Sequence, residues 1–218
     1  MSEQIHSAFD AGNEAIDARP LAERLGSADE LTTLSPRACS HQHTKVHSVP
    51  ALRDFLSKYR DEVLAPQEFR HIYQAYHFAS QGFVRELLAL DAELASNTVL
   101  KDFQVASRHV GKRQLNRLRP MKDLRLVQRY AEAVNDGKAY GWHTLVYGVV
   151  LATYSLPLRQ GLMHYGRQTL GGFIQSASRA LDLRDDACLA IRMELNGSLP
   201  ALIDETVRLN GSPLRLIS

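Results

Sequence analysis

The amino-acid sequence predicts an all-α protein, a single-domain helical bundle with a buried central helical hairpin. From residue 48 onward apolar residues recur at spacings of three and four, and no run alternates apolar with polar residues as a half-buried strand does. Residues 139–158 contain no Asp, Glu, Lys or Arg. Because a helix that is apolar on every side must be buried on every side, this segment is expected at the centre of the bundle.

The second helix of the hairpin is expected to follow at once. Ser155 is suited to cap it, and Pro157 fits its first turn, where no backbone N–H is needed. The apolar stripe of this helix, which would pack against the first, consists of Leu158, Leu162, Tyr165, Phe173, Ile174, Ala177 and Leu181.

The helices before the hairpin are marked by cap and break residues. Ser48 and Pro50 are typical of a helix start. Pro66 is expected to end that helix and to start another, which Gly82 is expected to break. A turn at residues 135–137 then leads into the hairpin.

After the hairpin, Asp182 is expected to cap a last helix that the pair Asn196 and Gly197 interrupts. The first 47 residues have few periodic apolar positions and are rich in polar side chains, which is typical of a mobile segment. The predicted organisation is therefore a flexible N-terminal arm, a helical domain and a short tail, at residues 1–47, 48–211 and 212–218.

Charge and cysteine content narrow the class of protein. A formal net charge of +2 provides no strong overall attraction to nucleic acid or to a membrane. Cys39 and Cys188 lie far apart without a Cys-x-x-Cys motif, which suits a reducing compartment. Residues 1–20 lack the apolar core of a secretory signal. Residues 139–158 match a membrane span in length but contain polar side chains, so a cytoplasmic, non-membrane protein is expected.

One segment is strongly basic. Residues 108–129 contain eight Lys and Arg residues and a single acid, Asp123. Such a cluster can bind phosphates. However, the segment lacks interleaved aromatic residues before Tyr130 and contains Pro120. We expect a solvated face or a contact with an acidic protein partner, and nucleic-acid binding is the alternative that steep salt dependence would reveal.

The histidines are the candidate metal ligands. A tract with His41, His43 and His47 could bind nickel or zinc, although an exposed polar loop is the favoured interpretation. His143 lies in the apolar segment and is expected to be a hydrogen-bonded core histidine. The alternative is a helical metal- or haem-binding enzyme centred on His143 and His164.

No catalytic signature occurs in the sequence. It has no phosphate-binding Gly-x-x-x-x-Gly-Lys motif, no dinucleotide motif, no His-Glu-x-x-His and no Gly-x-Ser-x-Gly. A large apolar core without such a constellation favours a binding protein over an enzyme, with no catalytic residue, cofactor or resident metal expected.

Two stretches resemble the urease accessory protein F family, UreF. The first runs from His143 to Gly148 and continues as LATYSLPLRQGLMHYG and SASRALDL. The second lies earlier in the chain and includes Asp91, Ala106, Ser107, Gly111 and Arg113. The N-terminal region diverges, because SPRACSHQH lacks the glycines and the glutamate that the family has there.

The resemblance implies a helical, often dimeric scaffold that takes part in delivering nickel to apo-urease. Such proteins connect a nickel-carrying GTPase with a second accessory protein, so the chemistry of GTP belongs to the partner. On this basis Arg179, Arg215 and Leu216 are expected to bind partners. Gly148, Tyr165 and Gly111 are expected to support the structure.

Overall fold

The computed structural model describes residues 48–98, 100, 104–118, 124–181 and 183–211, with the helix backbone alone at 179–181. All regular secondary structure in these ranges is helical, which confirms the predicted all-α bundle. The elements are α1 (Val49–Tyr59), a π-helical segment (Arg60–Phe69), α2 (Arg70–Gln81), α3 (Val84–Ser96), α4 (Gln104–Leu118), α5 (Arg125–Asn135), α6 (His143–Thr153), α7 (Leu158–Leu181) and α8 (Asp185–Asn210).

The first two α-helices and the π-helical segment form one continuous helix. It begins as predicted, with the Ser48 hydroxyl accepting a hydrogen bond from the Ala51 N–H at 3.4 Å. The prediction that Pro66 starts a new helix was wrong, since the backbone stays helical through it. The ring of a proline clashes with the preceding turn of an α-helix, and the wider π-helical turn gives that ring room.

The continuous helix ends where a break was predicted. Gly82 has φ +74°, and the Phe83 N–H donates to the carbonyl of Phe78 at 2.8 Å. This is a Schellman ending, in which a left-handed residue turns the chain back over the last carbonyls. Glycine adopts that conformation without steric strain.

Helix α6 lies at the centre of the bundle. Every residue from 143 to 151 is buried, which confirms the burial predicted from the absence of charge. Its widest packing surface is against α2, followed by α4. The contact with α7 is smaller, and α7 packs most extensively along α8. The two hairpin helices are therefore neighbours, but each has another helix as its main partner.

The turn between α6 and α7 differs from the prediction at Ser155. This residue has φ +52° and closes α6, with its N–H donating to the carbonyl of Ala152 and the Leu156 N–H to that of Leu151. It does not cap α7. That position belongs to Pro157, whose carbonyl accepts from Gly161 at 3.0 Å.

Helix α8 is also longer than predicted. It runs unbroken through Asn196, Gly197 and Pro200. A helical glycine costs about 1 kcal/mol relative to alanine, but this helix buries Leu195 and other apolar side chains in the common core. Tertiary packing therefore overrides the local break signal. Asp182, the predicted cap, lies outside the described residues.

The described helices share one hydrophobic core, which includes side chains from α1 through α8. None of them combines the length with the apolarity that a membrane crossing needs.

Candidate functional site

The loop between α5 and α6, residues 136–142, is held by a buried carboxylate. Asp91 on α3 has no solvent exposure and accepts the Tyr130 hydroxyl at 2.6 Å. It also accepts the backbone N–H groups of Tyr140 and Gly141, the latter at 2.9 Å. Burial, followed by the charge of Asp91, raises the pKa of Tyr130 well above its ordinary value. Tyr130 therefore stays protonated and able to donate.

Helix α4 holds the same loop from another side. A Cβ on Gly111 would lie 2.0 Å from the carbonyl oxygen of Gly141 and 2.9 Å from the nitrogen of His143. The Ser107 hydroxyl accepts the His143 N–H at 3.0 Å. Gly111 therefore admits the backbone of a loop at close range, as its expected role in supporting the structure requires.

These contacts have a structural purpose at the start of α6. The first N–H groups of a helix have no partner inside the helix, and a buried helix start needs acceptors from elsewhere. Ser107 supplies one at His143, while Asp91 fixes the two preceding loop residues. The loop conformation, and with it the start of the central helix, therefore depends on α3 and α4.

His143, Tyr147 and Tyr165 form an aromatic cluster between α6 and α7. The ring of Tyr165 stacks on His143 with centroids 5.5 Å apart and meets Tyr147 edge to face at 5.1 Å. The Tyr147 hydroxyl donates to the carbonyl of Gly161 at 3.0 Å. Gly161 is also close to α6, since a Cβ on it would come within 2.4 Å of Leu151. The cluster thus fixes the position of α7 on the central helix.

A buried glutamate adjoins this cluster. Glu68, on the π-helical segment, accepts a hydrogen bond from the Tyr59 hydroxyl at 2.8 Å and another from Tyr165. Burial raises the pKa of Glu68 to about 7, against the opposing effect of the two phenol donors. The carboxyl group therefore changes protonation near neutral pH. Apolar periodicity did not indicate Glu68, because a charged side chain is usually read as part of a solvated face.

The two candidate metal ligands in the described part of the chain, His143 and His164, are not gathered into a site. His143 lies in the core, where burial lowers its pKa to about 3, and its Nε2 has no hydrogen-bond partner among the described residues. It is a core histidine as predicted, but that nitrogen is not satisfied. His164 is buried too, without a ring contact to His143. Within the described ranges, no three His, Cys, Asp or Glu side chains are placed to hold a metal.

Gly148 lies at the contact of the central helix with α2. A Cβ there would come within 2.6 Å of the Ile72 carbonyl oxygen and 2.9 Å of the Tyr76 nitrogen. The two helices thus approach backbone to backbone at this point, where only glycine fits.

The predicted partner-binding residues fall on α7 and in the C-terminal tail. Arg179 lies on α7 two residues before its end, and its side chain is outside the described structure. Arg215 and Leu216, like His41, His43 and His47, lie outside the described residues.

An exposed apolar pair occurs on α8 that sequence patterning did not identify. Leu189 is 57% exposed and Met193, one turn later, is 68% exposed. Both residues follow the helical spacing of the surface stripe, so no periodicity separates them from ordinary surface positions. Only their exposed area in the folded chain shows them as a patch.

In the described part of the chain, the polar groups with the largest pKa changes are enclosed in the core. The arrangement therefore has the character of a packing and positioning network. It ties α3, α4 and the π-helical segment to the central α6 and α7.

Comparison with known families places this network in context. The UreF family model matches residues 46–196, from the start of α1 to the middle of α8. The matched range contains the loop held by Asp91, the contact at Gly111 and the aromatic cluster. No curated protein matches the chain. UreF proteins are accessory proteins of urease rather than a family of catalysts. Since the family model covers more than half of the chain, the protein belongs to the UreF family of urease accessory proteins.

Proposed function

We propose that this protein is a cytoplasmic scaffold in urease maturation that links the maturation GTPase to a second accessory protein and to apo-urease. The observation that carries the proposal is the family match over residues 46–196, which covers nearly all of the helical domain. The buried polar network agrees with it, because those groups serve packing and are closed to a substrate. GTP hydrolysis would take place in the partner.

Arg179, Arg215 and Leu216 are the proposed partner-binding residues. Arg179 is on the same helix as Tyr165, about 21 Å further along at 1.5 Å per residue. The aromatic cluster anchors the first half of α7, so it also fixes the direction in which the helix carries Arg179. Gly111, Gly148 and Tyr165 are proposed as the supports of this framework, and their close backbone and ring contacts favour that role.

The scaffold is proposed to act as a homodimer. Leu189 and Met193 place two large apolar side chains in solvent on one face of α8. Contiguous exposed apolar side chains are favourable to bury against another protein surface. A second copy of the chain would provide the same pair in return, as a two-fold interface requires.

Co-purification tests the scaffold. The full chain is expressed with the GTPase and the second accessory protein, and the purified material is analysed by size exclusion with light scattering. We expect a stable mixed complex that Arg179→Ala and deletion of residues 214–218 each weaken by tenfold or more. Lys58→Ala, an exposed change on α1, is the control that leaves binding unchanged.

Two results would contradict parts of the proposal. A chain that migrates alone in the presence of both partners would contradict the scaffold function. Complexes that form equally well with the Arg179 and tail variants would contradict only the assignment of those residues.

A further inference from the structure

The exposed side of α4 is a cationic face. Side chains at spacings of three and four point to solvent, while the side chains on the opposite face of the helix are buried. The helix contains no acidic residue. We define the cationic face by its exposed members Val105, Arg108, His109, Lys112, Arg113, Asn116 and Arg117.

Two of these charges have no described acidic partner. No described carboxylate forms an ion pair with Lys112 or with Arg108. The guanidinium of Arg108 lies 4.7 Å above the ring of Tyr140, whose backbone is held by Asp91. The face therefore continues from α4 onto the fixed loop before α6, and it has apolar surface as well, since Val105 is 77% exposed and Tyr140 is 37% exposed.

The same chain contains a segment of opposite charge. Residues 1–30 have seven acidic residues and two basic ones, whereas residues 104–129 have eight basic residues and one acid. Ile5 and Phe9 stand between the acids, so this segment also has apolar side chains, as the cationic face has. The family match begins at residue 46, so this acidic segment lies outside the part of the chain that the family defines.

The linker between them is long enough for residues 1–30 to contact the cationic face. Residues 31–47 span up to about 56 Å when extended, at about 3.3 Å per residue. A compact domain of this size is roughly 40 Å across, so the acidic segment can reach any face of it. A tether of this kind also produces an effective concentration on the order of millimolar, at which even weak charge pairing is substantially populated.

We propose that residues 1–30 dock on the cationic face of α4, with acidic side chains against Arg108 and Lys112. The contact is electrostatic and lies within one molecule. It weakens as salt screens the charges, because the Debye length falls from about 10 Å at 0.1 M to about 3 Å at 1 M. An acidic protein surface would have to displace the segment before using this face.

Carbodiimide cross-linking of the full chain tests the proposal, since it joins a carboxylate to an amine only where the two are in contact. At low salt we expect Lys112 to be linked to acids of residues 1–30 at least five times as often as Lys58 is. Lys58 is the matched control, because it is exposed and lies nearer to the segment along the chain. In 0.5 M NaCl the Lys112 links should fall at least fivefold.

The variant Arg108→Gln retains the Lys112 amine and removes the positive charge one turn before it, without adding a carboxylate that carbodiimide could link to Lys112. It should reduce the Lys112 links at least fivefold and leave those of Lys58 unchanged, with circular dichroism to confirm folding. A mixture of isotopically labelled and unlabelled protein shows whether links form within one molecule. Equal linking of Lys58 and Lys112, links mainly between molecules, or no response to salt would each overturn the proposal.

Discussion

Tyr59 donates a hydrogen bond of 2.8 Å to Glu68 inside the core, and both side chains are more than 90% buried. They lie nine residues apart on one continuous helix, with Glu68 in the π-helical segment. Tyr165 of α7 binds the same carboxyl group. This carboxyl group therefore connects the first long helix to the helix that carries Arg179, and it does so with a pKa raised to about 7.

Glu68 should make stability depend on pH near neutrality. Its folded pKa of about 7 lies above the ordinary value of 4.5, so folding favours the protonated form. The contribution of Glu68 to the free energy of unfolding is fully present below pH 4.5 and is lost as the pH rises through 7. Above that pH the free energy no longer changes with the protonation of Glu68. Glu68→Gln should remove this loss, which is on the order of 3 kcal/mol at 1.4 kcal/mol per pKa unit.

The measurement is urea unfolding of both proteins from pH 5 to pH 9, read as the difference between them. The difference isolates Glu68 from His71 and His143, whose lowered pKa values of about 4 and about 3 reduce stability as the solution becomes acidic. Parallel profiles for the two proteins would show that Glu68 does not titrate in this range.

Gly111→Ala should be strongly destabilising. The added Cβ would lie 2.0 Å from the Gly141 carbonyl oxygen, and both groups belong to backbone that the fold holds in place. Overpacking of this kind costs about 3 kcal/mol. Gly171→Ala on α7 is the matched control, because its Cβ would meet no atom within 4 Å. That control should gain about 0.5–1 kcal/mol, since alanine is the better helix former. If the two variants shift the denaturant midpoint in the same direction by the same amount, the close contact of Gly111 with Gly141 is contradicted.

Asp91→Asn should loosen the loop before α6. The amide has one oxygen to accept hydrogen bonds where the carboxylate has two, and its NH₂ group would face a backbone N–H. Since Asp91 is fully buried, we expect a loss of about 3 kcal/mol. Tyr130→Phe removes a single donor and should cost about 1–1.5 kcal/mol. Hydrogen exchange at Tyr140 and Gly141 should accelerate in Asp91→Asn, and unchanged exchange there would be evidence against this carboxylate as the loop's anchor.

Replacing the exposed apolar pair should abolish the proposed dimer. Leu189→Asp with Met193→Asp places two charges on that face of α8, and light scattering should report the mass of a single chain. Both side chains are mostly in solvent, so the free energy of unfolding of the monomer should change by less than about 0.5 kcal/mol. Leu209→Asp is the control, since Leu209 is 61% exposed but lies about 160° around the helix from Met193. A wild-type protein that is monomeric, or a variant that still dimerises, would refute the proposed interface.

The sequence by itself determined the all-helical class, the burial of α6, the start at Ser48 and the ending at Gly82, because each depends on residues close together in the chain. It also contained the family pattern that the match over residues 46–196 confirms. Residues Arg179, Arg215 and Leu216 stay predictions, since their side chains lie outside the described structure.

Where local sequence signals and tertiary packing disagreed, tertiary packing determined the structure. Pro66 and Gly197 are local helix breakers, yet burial of the surrounding apolar side chains keeps both helices continuous. Glu68 and Tyr59 meet inside the core across the π-helical segment, and Gly111 meets a loop thirty residues later in the chain. Periodicity reports which side of a helix is buried, whereas the partner on that side depends on contacts between distant residues that no local pattern contains.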